Sequence, residues 1–115
     1  MSIERIKVGP RMSQAVVYGG LVYLAGQVAD DPNADVAGQT RQILAKIDSL
    51  LAEAGTDRSK LISANVWLSD ITTFNEMNVV WDAWVTPGSP PARACVEGKL
   101  ALPHLKVEIM AVAVC

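Results

Sequence analysis

The sequence predicts an α+β domain, a mostly antiparallel sheet with two helices on one face. Three observations carry that prediction. A Gly19-Gly20 pair sits between two β-rich runs, which is a hairpin signal. A long apolar stripe at helical spacing follows it. The two C-terminal apolar runs, by contrast, carry strand-like β-branched residues and are bounded by glycine and proline. With 115 residues the chain has room for one domain, taken to span 1–115.

The elements follow in order. Strands are expected at 3–8, 14–18 and 21–28, with Asp30-Asp31-Pro32-Asn33 as a loop. Val36, Thr40, Ile43, Leu44, Ile47, Leu50, Leu51 and Ala54 then form one helical stripe, with Gln39, Arg41, Gln42, Lys46, Asp48 and Glu53 off it. Asp35 is placed to cap its start, and Gly55 to end it. A strand is expected at 61–68, with Ile62, Ala64, Val66 and Leu68 on one face. Thr73-Phe-Asn-Glu76 has the pattern of a capping box opening a second helix. Its buried stripe is read as Phe74, Met77, Trp81, Trp84 and Val85, and Pro87 to Pro91 stops it. Strands at 92–97 and 106–114 close the order β-β-β-α-β-α-β-β.

Composition narrows the function classes. Half the residues are apolar and 19% are charged, so the chain is not a solvating, disordered one. A net charge of -2 with scattered Lys and Arg gives no footprint for nucleic acid. No apolar run has the length of a membrane span, and no signal-peptide pattern opens the chain. Cys95 and Cys115 make no disulfide framework or metal-ligand spacing, so a cytoplasmic setting is expected. His104 is the one histidine, expected in a surface loop, so no ordinary zinc site is expected; no phosphate-binding glycine loop exists either.

Two helices can cover one sheet face. A wet second face should alternate apolar with polar, yet Val16 to Tyr18 and Leu21 to Ala25 do not. Burying several hundred Å² of such a face against sister subunits would contribute on the order of 10 kcal/mol before association costs. An oligomer is therefore expected.

Within the 92–97 strand, Ala92, Ala94 and Val96 suit the helix-covered face. Arg93, Cys95 and Glu97 would then point to the other. A hairpin between the last two strands would bring Arg93, Cys95 and Glu108 to the same side. An interfacial ion pair is the plain use of such charges, because a buried charge calls for a partner without naming it. Cys95 has no histidine beside it to make a thiolate, and Asn78 falls off its helix's apolar stripe, which suits a solvated position.

The segment Pro91-Ala-Arg-Ala-Cys-Val-Glu97, followed by Lys106-Val-Glu-Ile-Met-Ala-Val-Ala113, resembles the C-terminal signature of the RidA/YjgF family of reactive-intermediate deaminases. The likeness extends to Ala25-Gly26-Gln27 and Asp70 to Asn78, and Met77 to Trp84 is similar to the YoaB-type branch. What the resemblance implies is a chorismate-mutase-like homotrimer with clefts between subunits. The reaction it implies is hydrolysis of 2-imino or enamine acids to 2-keto acids and ammonia, with no metal or organic cofactor. By the same resemblance Arg93 grips the substrate carboxylate, Glu108 activates water, and Cys95, Asn78 and Gly26 line the cleft. Met12 takes the place of a family tyrosine, which puts the preferred substrate in question. A carboxylate-binding regulatory trimer without catalysis is the alternative. Ribonuclease activity, described for some relatives, is disfavoured by the acidic balance.

Overall fold

The structure is a computed structural model that describes residues 2–115. Six strands form one sheet: β1 (Glu4–Val8), β2 (Ser13–Tyr18), β3 (Leu21–Leu24), β4 (Leu61–Leu68), β5 (Ala92–Glu97) and β6 (Val107–Val114). Two α-helices, α1 (Val36–Glu53) and α2 (Phe74–Trp84), pack against each other over one face. The strand order is β1-β2-β3-β6-β4-β5, antiparallel throughout except for the β4–β5 pair, which is parallel.

The hairpin forms where Gly19-Gly20 predicts it. Both glycines take positive φ, 61° and 79°, as a tight turn between β2 and β3 requires. Asp35 caps α1 by accepting from the Gly38 backbone N–H at 2.8 Å, and Gly55 follows the helix at φ 81°. The α1 stripe is buried at Val36, Thr40, Ile43, Leu44, Ile47, Leu50 and Leu51. Each large aliphatic side chain there contributes roughly 1.5–3 kcal/mol by leaving water. It packs on Val107, Ile109, Ala111 and Ala113 of β6, all at most 2% exposed.

Several local expectations are corrected. The third strand ends at Leu24, not Val28; only Gln27 rejoins the sheet, exchanging two backbone bonds with Ile109 of 2.8 and 3.1 Å. In β4 a register shift between Leu61 and Ser63 leaves Ile62 exposed and buries Leu61 in its place. The capping box does not form. Thr73 makes no side-chain cap bond, and the Glu76 carboxylate accepts from Ala37 N–H at the start of α1. Phe74 is 37% exposed and Val85 only half-buried, while Val80 joins the buried stripe. Gln39 is fully buried. Its amide donates to the Ala34 and His104 carbonyls and accepts from Lys106 N–H, so it satisfies loop backbone that would otherwise be unpaired.

The largest correction concerns β5. It forms no hairpin with β6, because β4 lies between them and pairs with both. The register sets Arg93 beside Ala64 and Cys95 beside Val66. Ala64 and Val66 are buried under the helices, so Arg93 and Cys95 point to the helix-covered side. Ala92, Ala94 and Val96 take the open side instead. The helix-free face is nonetheless as apolar as expected: Tyr18, Tyr23, Val96, Met110 and Val114 are between 38% and 51% exposed there.

Candidate active site

The residues singled out from the sequence divide into two groups on opposite faces. The first gathers at the sheet edge under α2. β5 is an edge strand, so side chains on its helix side stand at the rim of the fold. The Arg93 guanidinium lies 5.1 Å from the centroid of Trp81 and 5.8 Å from that of Phe74. Its Nη1 also donates weakly to the Met77 thioether at 3.9 Å. No carboxylate pairs with it among the described residues. The structural ion pair with Glu108 is therefore absent within the subunit.

Cys95 lies two residues on, half-buried against the core. Burial pushes its thiol above the usual range, against the opposing pull of the Arg93 charge. A protonated thiol suits a lining role and not a nucleophilic one. Asn78 is not a solvated residue: its Oδ1 is buried and has no hydrogen-bond partner. At helical spacing it shares the face of α2 that carries Phe74 and Trp81, the rings beside Arg93. An orphaned buried amide costs about 1–3 kcal/mol unless something binds it. Glu97 is spoken for, since its carboxylate accepts from Ile71 N–H.

The second group centres on Glu108. β6 alternates, burying Val107 and Ile109 under the helices and turning Glu108 and Met110 to the open face. Trp67 sits opposite Glu108 in the β4–β6 register. Gly26 lies against the carboxylate: a Cβ there would come within 3.0 Å of the Glu108 carboxyl carbon and 3.3 Å of its Cγ. No hydrogen bond or ion pair engages Glu108 among the described residues. Met12, 52% exposed, is not brought to Glu108: with Gly26 it lines a groove of about 440 Å³ against Lys46 and Leu50 of α1, and Glu108 is not among the residues lining that groove. A second groove of that volume, between α1 and α2, touches none of these residues.

Within one subunit Arg93 and Glu108 cannot act together. They are two strands and three register positions apart, roughly 14 Å between Cα atoms at ordinary sheet spacing, and they face opposite ways. Sequence reasoning missed Phe74 and Trp81 as the surroundings of Arg93, because it assigned both to the core. It also missed Trp67 beside Glu108. The strand order holds that information.

Among the described residues no group of three or more His, Cys, Asp or Glu side chains is disposed to hold a metal ion, and no helix is long and apolar enough to cross a membrane.

The fold and the two half-sites define an α+β domain with an exposed apolar sheet face and, at its β5 edge, an arginine stacked on aromatic rings without a carboxylate partner among the described residues. Residues 2–115 match the model of the endoribonuclease L-PSP family. A RutC family protein of Haemophilus ducreyi is 44% identical over 111 residues, covering 96% of this chain and 95% of its own. The RutC family protein YoaB of Escherichia coli is 39% identical, covering 98% of each chain. The crystal structure of a YjgF-family protein of Neisseria meningitidis superposes with a TM-score of 0.96 at 46% identity, over 99% of this chain and 95% of that one. The chain belongs to the YjgF/RutC family.

Proposed function

We propose that the protein hydrolyses 2-imino and enamine acids to 2-keto acids and ammonia, as a cytoplasmic homotrimer in which each site takes Arg93 from one subunit and Glu108 from another. The unpaired Arg93 guanidinium carries this reading. A half-buried cation walled by two rings and a thioether lacks the carboxylate it would otherwise hold. A planar carboxylate fits its edge in a bidentate manner, and such a charge-assisted contact contributes roughly 1.5–3 kcal/mol. The open face supplies the rest. Its exposed apolar residues need covering, and a sister subunit whose β5 edge lies over that face would bring Arg93 toward a foreign Glu108.

The chemistry then follows from the residues. Arg93 fixes the substrate carboxylate and so orients the adjacent C=N carbon. Glu108, given room beside Gly26 and without a hydrogen-bond partner for its carboxylate among the described residues of the subunit, accepts a proton from the water that attacks the carbon of the protonated imine. The same carboxyl group returns that proton to the nitrogen of the carbinolamine, ammonia leaves as the oxygen forms the C=O double bond, and the hydroxyl proton passes back to the Glu108 carboxylate. The orphaned Asn78 Oδ1 supports a further role, accepting a hydrogen bond from the N–H of the bound imine. Cys95, kept as a thiol, lines the pocket.

The test adds purified protein to threonine dehydratase and threonine and follows 2-oxobutanoate formation directly by its ultraviolet absorbance. Acceleration is expected. Arg93→Ala is expected to lower kcat/KM on the order of 100-fold while leaving the oligomer's size in solution unchanged. A variant that turns over at the parent rate overturns the assignment. If the parent binds 2-keto acids without accelerating the reaction, the protein is a carboxylate-binding regulator. Cleavage of RNA, the activity for which the matched family is named, draws no support from a net charge of -2.

A further inference from the structure

We propose that Phe74 is a positioning residue for Arg93: its ring holds the guanidinium so that an in-plane edge is left to take one carboxylate. The proposal rests on the reading of Arg93 as the carboxylate grip.

Phe74, Met77 and Trp81 all come from α2, at successive turns of one face, and all three touch the Arg93 head. The wall is thus a single rigid element and not a set of independent loops. Arginine is long and rich in rotamers, so an unheld head would lose much freedom on gripping a ligand. Aromatic rings attract a guanidinium without taking up the in-plane bonds that a carboxylate needs. They confine the cation and leave its hydrogen bonds unspent. A carboxylate in that place would confine it equally well but would occupy the same edge.

The two rings differ in what explains them. Trp81 is 5% exposed and belongs to the core, so packing alone accounts for it. Phe74 opens α2 and is 37% exposed. Burial does not account for an aromatic ring left so far in water at the first turn of a helix. Its partner there is the Arg93 cation.

Phe74→Leu keeps an apolar side chain and removes the ring; Phe74→Tyr keeps the ring. Each full-length variant is titrated with 2-oxobutanoate by calorimetry, assayed at saturating imine, and melted. The leucine variant is expected to bind 2-oxobutanoate about two- to fivefold more weakly, with its saturated rate and its melting midpoint unchanged. The tyrosine variant is expected to bind as the parent does. Parent-like affinity in Phe74→Leu overturns the proposal. So does an equal loss in both variants, or a loss that tracks a lowered midpoint, since either marks simple packing. Arg93→Ala in the same titration separates the two readings. Undiminished binding there overturns the carboxylate grip and with it this proposal, whereas lost binding there beside a normal Phe74→Leu overturns the role of Phe74 alone.

Discussion

Gly26→Ala offers a perturbation whose size can be worked out from the coordinates. Gly26 does not lie in the positive-φ region, so alanine meets no backbone strain there. Removing glycine's freedom from the unfolded chain should leave stability unchanged or raise it by about 0.4–1 kcal/mol. The new methyl, however, would stand 3.0 Å from the Glu108 carboxyl carbon and 3.3 Å from its Cγ. Ordinary contact between carbon atoms needs about 3.5–4.0 Å, and the carboxylate Oε2 lies closer to the methyl than either carbon, so the flexible carboxylate must swing away by roughly 1 Å. A catalytic group displaced by that distance can cost on the order of 100-fold in rate. The expected signature is therefore a protein that melts at or above the parent temperature and hydrolyses 2-iminobutanoate on the order of 100-fold more slowly. Adding Glu108→Gln to Gly26→Ala should lower the rate little further, because both changes disable one group. Parent-like turnover in Gly26→Ala would refute the reasoning that this carboxylate acts from its place beside Gly26.

Three more outcomes follow from side chains whose roles the fold clarifies. Cys95→Ala should keep activity within about tenfold, whereas loss of a covalent nucleophile would be orders of magnitude larger. In the parent, iodoacetamide at neutral pH should modify the exposed Cys115 before Cys95, whose thiol burial keeps protonated; mass spectrometry of the labelled peptides checks this. Gln39→Leu removes three hydrogen bonds to the backbone of Ala34, His104 and Lys106 and leaves those groups without their partner. We expect a loss of about 3 kcal/mol, or roughly 15 °C in the thermal midpoint by circular dichroism, and a parent-like midpoint would contradict the bridging role.

Where the sequence pattern and local structure agree, the same residues explain both. Asp35 and Gly55 bound α1, and Gly19-Gly20 turns the hairpin, because these are local demands that a few residues meet. The exposed apolar face was legible for a similar reason: lost alternation is visible along a single strand. β5 was not. Its small residues Ala92 and Ala94 suit a close-packed surface of any kind, and only the parallel pairing with β4 decides which face they take. The crossover through α2 sets that pairing, and nothing within Ala92–Glu97 encodes it. Glu76 illustrates a related limit. Its spacing from Thr73 fits a cap for its own helix, yet it caps the neighbouring one across the α1–α2 contact. Gln39 follows the same logic, since a polar residue beside an apolar stripe reads as solvated until a loop folds over it.

The choice of site residues rested on the family resemblance and not on their geometry. The hairpin that would have joined Arg93 to Glu108 in one subunit does not exist, and the structure places them back to back. That separation makes the account of a shared site testable without a ligand-bound structure.

Co-expression of Arg93→Ala with Glu108→Gln tests the shared site most directly. Each variant alone lacks one half of every site. In randomly mixed trimers about a quarter of the clefts would pair an intact Arg93 with an intact Glu108 from different subunits. The account predicts imine hydrolysis restored to about a quarter of the parent activity per subunit, from two variants that are each nearly inactive. Mixed oligomers with no more activity than the two separate variants would contradict it.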